Sequence, residues 1–171
     1  MAEPTVISGD LIVRGAFSAG SIVVPAEQIT DAAVSNTAAI AASKLIHHFP
    51  VHYSQAAGAD VTSVTMPVHV AKANGTISAF KVLPTAAPAG GDKKFTVDLQ
   101  KSTSAGNYAT VLSSVVTIDN TSVNKTPQTG TLSATTYLTG DTFQMVLTAS
   151  GSTGNQGQGV AAVAFFQEAV A

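Results

Sequence analysis

The chain has 171 residues and a formal charge of −2, with only 11% Asp, Glu, Lys and Arg, against about 25% in ordinary soluble domains. Its eight Lys and Arg include a single arginine, Arg14, and the densest basic pair is Lys93-Lys94, so the clustered cations that nucleic-acid binding draws on are missing. The absence of cysteine excludes disulfides and thiolate chemistry.

Hydrophobic residues make up 45% of the chain, yet aromatics account for only 6% and many of the rest are alanine. Burial stabilises in proportion to the apolar area removed from water. A core this short of large side chains gains from being extended across subunit interfaces, and an oligomer is expected. No apolar run approaches the roughly 18 residues of a membrane span, and Met-Ala-Glu-Pro lacks the basic and apolar regions of a secretory signal. Neither a membrane nor nucleic acid is an expected partner.

Residues 5–24 hold three apolar bursts, Val6-Ile7, Leu11-Ile12-Val13 and Ile22-Val23-Val24, punctuated by Gly9-Asp10, Gly15 and Gly20. Short extended segments with turns fit that pattern. Pro25 and Glu27 then give helix-start signals, and the alanine-rich 38–45 stretch has high helix propensity. One or two short helices are predicted here. Residues 1–48 therefore read as an N-terminal arm.

From Phe49 the pattern is that of strands. Val51 and Tyr53 flank His52, Val61, Val64 and Met66 follow a predicted turn at Gly58, and Val68 and Val70 flank His69. Asn74-Gly75 is the strongest short hairpin signal, since a type I′ turn needs φ > 0 at both central positions. Ile77–Val82 continues beyond it, and 84–92 reads as a loop. Phe95, Val97 and Leu99 alternate cleanly and are predicted to point inward. One long or two short strands fit 108–119, the 121–136 segment is polar and Thr-rich, and Phe143–Leu147 alternates again. A glycine-rich loop (151–159) precedes the apolar run VAAVAFFQEAV (160–170), predicted to be buried on both faces. About eight strands at this spacing predict an all-β sandwich or jelly roll over residues 49–171.

The residues that carry chemistry are sparse. His47, His48, His52 and His69 are the one concentration of imidazoles, with Asp60 the only acidic residue between the first and last. They read as strand or interface histidines and not as a metal site. Asp92, Asp98, Asp119 and Asp141 are scattered and read as turn formers. No nucleophile elbow or phosphate-binding lysine loop is present, and the lack of tryptophan disfavours a carbohydrate-binding platform. No catalytic, cofactor or metal residue is assigned.

The segment GTISAFKVLPTAAPAGGDKKFTVDLQKS, with LTGDTFQMVLTAS and a glycine-rich loop before VAAVAFFQEA, resembles a module of tailed-phage virion proteins. The Gly-Asp lead into an alternating strand is also similar to trimeric jelly rolls of the complement and tumour-necrosis-factor kind. ISGDLIVRGAFSAG and ITDAAVSNTAAIAASKL resemble the arms of phage structural proteins. The resemblance implies a capsid decoration (cement) protein. It would be a homotrimer bridging neighbouring copies of the major capsid protein on the outer surface of the virion, made in the host bacterial cytoplasm. A short trimeric head or tail fibre or spike module is the alternative. On this reading Ile7, Leu11, Val13, Phe17, Ile22 and Val23 would contact the shell or an adjacent trimer. Phe165 and Phe166, on opposite faces of the last strand, would divide between core and trimer interface.

Overall fold

The computed structural model describes residues 46–103, 106–152, 154 and 156–169, and these are all-β with no helix. Ten strands follow in chain order: β1 (Ile46–Asp60), β2 (Val64–Val70), β3 (Gly75–Ala86), β4 (Lys94–Ser102), β5 (Ala109–Thr110), β6 (Val116–Asp119), β7 (Gln128–Gly130), β8 (Thr136–Tyr137), β9 (Thr142–Ser150) and β10 (Gln158–Ala169). The helices predicted before residue 46, and Ile7, Leu11, Val13, Phe17, Ile22 and Val23, lie outside the described residues.

Two antiparallel sheets form a sandwich. The first has the order β1-β10-β3-β7, with β8 also on β3; the second has β2-β9-β4-β5, with β6 also on β4. Two pairs of short strands, β5 with β6 and β7 with β8, thus each fill one strand position. That is why ten strands stand where about eight were expected. The chain changes sheet at each of the first three connections, and pairing is nested: β1 with β10, β2 with β9, β3 with β7 and β8, β4 with β5 and β6.

The core follows from period-2 alternation. Phe95, Val97 and Leu99 of β4 face Phe143, Met145 and Leu147 of β9 as buried neighbours, and Phe80 and Val82 of β3 meet them from the other layer. A bulge at Ser78, where Phe166 pairs with Ile77 but Phe165 with Ala79, lets Ile77 and Phe80 both point inward despite their odd spacing. Ser78 Oγ donates to the Phe165 carbonyl at 3.2 Å, occupying the extra residue's hydroxyl.

Asn74-Gly75 does not form a hairpin. β2 and β3 belong to different sheets, and neither residue has positive φ. Gly75 is instead required by close approach, because a Cβ there would collide with the Gln167 carbonyl and the Tyr137 ring. The Asn74 side chain accepts from the Thr139 amide at 3.0 Å and so ties two connections together. Gly58 likewise makes no turn between strands. It sits within β1 at φ 87°, in the stretch between Gln55 and Asp60 where the register with β10 shifts.

The last strand is buried on one face only. Val160, Ala162, Ala164 and Phe166 are buried, whereas Ala161, Val163 and Phe165 on the opposite face are half-buried or exposed. β10 is central within its sheet, between β1 and β3, but among the described residues no third layer covers the outside. The strand pairing also reaches further back than Phe49, since Ile46, His47 and His48 pair with Ala169, Glu168 and Gln167.

Among the described residues every sheet edge is interrupted. Proline lacks the N–H of a ladder bond, and natural edges use it to resist strand addition. Pro50 sits in edge strand β1, Pro67 sits in edge strand β2 beside a bulge, and the opposite edges are the short β5 to β8.

Candidate functional site

The most chemically varied part of the fold is the end of the sandwich where β1 begins. β10 finishes there opposite β1, β2 ends at Val70 opposite Thr142, and β3 begins at Gly75 opposite Glu168. At this pole the sheets are held by rings and by two polar ties.

His69 comes from β2. The bulge between Pro67 and His69 reverses the alternation, so His69 pairs with Phe143 and turns inward while Val70 is left 60% exposed. Its imidazole packs 4.9 Å from the Phe166 ring, 5.2 Å from Phe49 and 5.9 Å from Phe143. Phe166 also stacks on Phe49 at 5.6 Å and meets Phe143 edge-on at 4.9 Å. Aromatic pairs of this kind contribute about 0.5–1.5 kcal/mol beyond their area burial.

His69 Nε2 lies 3.1 Å from Glu168 Oε1, donating to the carboxylate across the sandwich from β2 to β10. Lys101 of β4 makes the second tie, donating to the Thr136 carbonyl of β8 at 2.9 Å, with Asp141 Oδ2 3.4 Å away. Asp141 in turn accepts from the Leu138 amide at 3.0 Å. Tyr137 donates to the Gln167 carbonyl at 3.1 Å. Burial first, and the Glu168 carboxylate second, push its phenol far above the ordinary tyrosine range, so it stays protonated as a donor.

Two cavities open beside His69. One of about 410 Å³ is lined by Pro67, Val68, Val70, Tyr108, Thr142 and Phe143 as well as His69; the other, about 260 Å³, by His47, Phe49, Lys72 and Glu168 together with it. Among the described residues no group of three His, Asp or Glu is placed to hold a metal ion. His47 shares the smaller cavity with His69, whereas His48 and His52 are exposed on β1. The His69–Glu168 pair is held by its own hydrogen bond, with the Tyr137 phenol close enough to feel the Glu168 carboxylate. The arrangement clamps two sheets.

The scattered aspartates divide. Hydrogen bonds from Ser152 hold the Asp92 carboxyl below its usual range, and those from Thr121 do the same for Asp119. These two, with Asp141, serve loops. Asp98 does not: it is a buried member of β4, accepting from Thr110 at 2.5 Å and Gln100 at 2.8 Å, with Gln144 donating on to Gln100 at 2.8 Å. That polar chain runs along the outer face of the second sheet.

Phe166 is 1% exposed, within the ring cluster, and Phe165 is 38% exposed on the outer face of the first sheet. Sequence reasoning missed Glu168, Tyr137 and the inward turn of His69. A lone carboxylate at the same alternation as Phe166 is the signal that marks Glu168 as a buried partner; the proline before His69 hints at the bulge. No protein-family model matches the chain, and no curated protein matches it in sequence.

Proposed function

We propose that this chain is a structural virion protein that decorates the capsid of a tailed phage, bridging neighbouring capsid subunits as a homotrimer and reinforcing the shell without turnover or cofactor. The nested pairing of β1 with β10, β2 with β9, β3 with β7 and β8, and β4 with β5 and β6 supports a jelly roll.

The observation that carries the oligomer is the outer face of the first sheet, which no other layer covers among the described residues. Phe165 and Leu83 are exposed there, with Val163 and Ala161 between them and Pro50 alongside. Each large side chain fully buried contributes about 1.5–3 kcal/mol, so covering this face stabilises an assembly. His52 and Lys81 flank Val163 on the same face, and no carboxylate accompanies them among the described residues. Pairing two such faces about a twofold axis would oppose like charges. A ring, in which each face meets a different surface of the next subunit, avoids that. The interrupted sheet edges also favour joining through faces over strand addition.

Cryo-microscopy of shells lacking this chain, before and after adding the purified protein, tests the reading. Threefold density at ordered positions over the whole shell is the expected result. Density confined to one vertex or to the tail would replace it with the fibre or spike alternative, and no density would reject both.

A further inference from the structure

We infer that the pole at which β1 begins is the shell-facing end of the molecule, docking onto a surface of the capsid protein that carries carboxylates among apolar side chains. The inference rests on the decoration reading and adds which end of the fold binds and what chemistry it binds.

Register brings the relevant residues together. Ile46 starts β1 opposite the end of β10, Val70 ends β2 opposite the first residue of β9, and the Tyr108 hydroxyl lies 3.0 Å from Thr142 Oγ1 in that same β9 residue. Leu138 belongs to the turn that hydrogen-bonds Ala71, one residue beyond Val70: the Gly140 amide donates to the Ala71 carbonyl and the Ala71 amide to the Asp141 carbonyl. Val70 is 60% exposed, Leu138 62% and Ile46 59%, and Tyr108 is exposed beside the 410 Å³ cavity. Val70, Leu138 and Tyr108 gather on the second sheet's side of this pole and Ile46 lies on the first sheet's side, and large apolar side chains gathered and left bare in this way mark an interaction surface. The cavity between Val70 and Tyr108 offers a recess for an apolar side chain of the partner.

Charge selects the partner. Both carboxylates of this pole are buried in pairs, Glu168 with His69 and Asp141 with Lys101. Lys72 remains exposed at the rim, as do the imidazoles of His47 and His48. Among the described residues the pole therefore presents cationic or neutral groups with no exposed carboxylate, which is complementary to an acidic surface. The opposite pole is different. Asp60 and Asp92 are exposed there with Lys94, Lys93 is half-buried beside them, and the glycine-rich connection from β9 to β10 lies between Ser150 and Gln158.

The test uses the full-length protein and shells of its own phage stripped of this chain, with bound protein read by sedimentation. Val70→Asp combined with Leu138→Asp alters two exposed side chains and is expected to weaken binding at least about tenfold, the effect of losing roughly 1.4 kcal/mol, while light scattering shows an unchanged oligomer. Lys72→Glu is expected to weaken binding and to reduce its salt dependence. Val123→Asp, exposed near the other pole, is expected to bind as the unaltered protein does. Full binding by the double variant, or equal loss from Val123→Asp, would overturn the docking pole while leaving decoration intact. Failure of the unaltered protein to bind would instead reject the decoration reading itself.

Discussion

Phe165 and Phe166 are adjacent in sequence and opposite in consequence. Phe166→Ala removes a ring in contact with Phe49, His69, Tyr137 and Phe143, and large-to-small changes of this kind cost about 3–5 kcal/mol. Phe165→Ser removes a ring from an exposed face. Urea unfolding is expected to separate the two, with a large fall in midpoint for Phe166→Ala and little for Phe165→Ser. Analytical ultracentrifugation is expected to show Phe165→Ser shifted from trimer toward monomer. A trimer unaffected by Phe165→Ser would remove this face from the interface. Tyr137 gives a pH signature. Its folded pKa lies above the unfolded value, so its contribution is present below about pH 10, where free tyrosine ionises, and fades as pH rises beyond that. Chemical unfolding between pH 9 and about 11 is expected to show a flatter decline for Tyr137→Phe than for the unaltered protein. Parallel declines would mean that Tyr137 ionises equally in both states.

Strands whose alternation is uninterrupted are legible in the amino-acid sequence. Phe95, Val97 and Leu99 in β4 point inward as predicted, and so do Phe143, Met145 and Leu147 in β9, because period 2 fixes the face of every residue once one is buried. Bulges break that rule locally. The one before His69 turns its imidazole into the ring cluster, and the one at Ser78 sets Ile77 and Phe80 on the same side. Neither is written in hydropathy. The two short strands expected within 108–119 are β5 and β6, whereas β7 and β8, in and at the end of the polar 121–136 stretch, are hidden because runs of only two or three residues carry no periodicity. Asn74-Gly75 shows a different failure: the glycine answers a tertiary demand, the approach of Tyr137 and the Gln167 carbonyl, and not the local turn its dipeptide suggests. Gly75→Ala is accordingly expected to lower the unfolding temperature, because the start of β3 must move away from β8 and β10. A turn-specific role predicts instead that Gly75→Asn, which tolerates positive φ, is harmless. Thermal unfolding of the two variants distinguishes these cases, with both expected to be destabilised.

At the scale of the whole molecule, and among the described residues, large apolar side chains are exposed on the outer face of the first sheet and at the pole where β1 begins. Sequence alone makes that division only partly visible: the weak charge and few aromatics point to burial against other subunits, but which face and which end depend on the register. On the proposed decoration reading, reinforcement would follow from mass action. A ligand that binds only the assembled shell stabilises it by RT ln(1 + [L]/Kd), about 2.7 kcal/mol per site at a hundredfold excess over Kd, and repetition over a lattice turns this into a barrier to rupture. The most direct measurement is the temperature at which genome is released from particles with and without this chain, followed by a dye that reports exposed DNA. Decorated particles are expected to release at a higher temperature, by an increment that disappears when the protein is withheld and returns when it is added back. Release at the same temperature with full occupancy on the shell would contradict reinforcement.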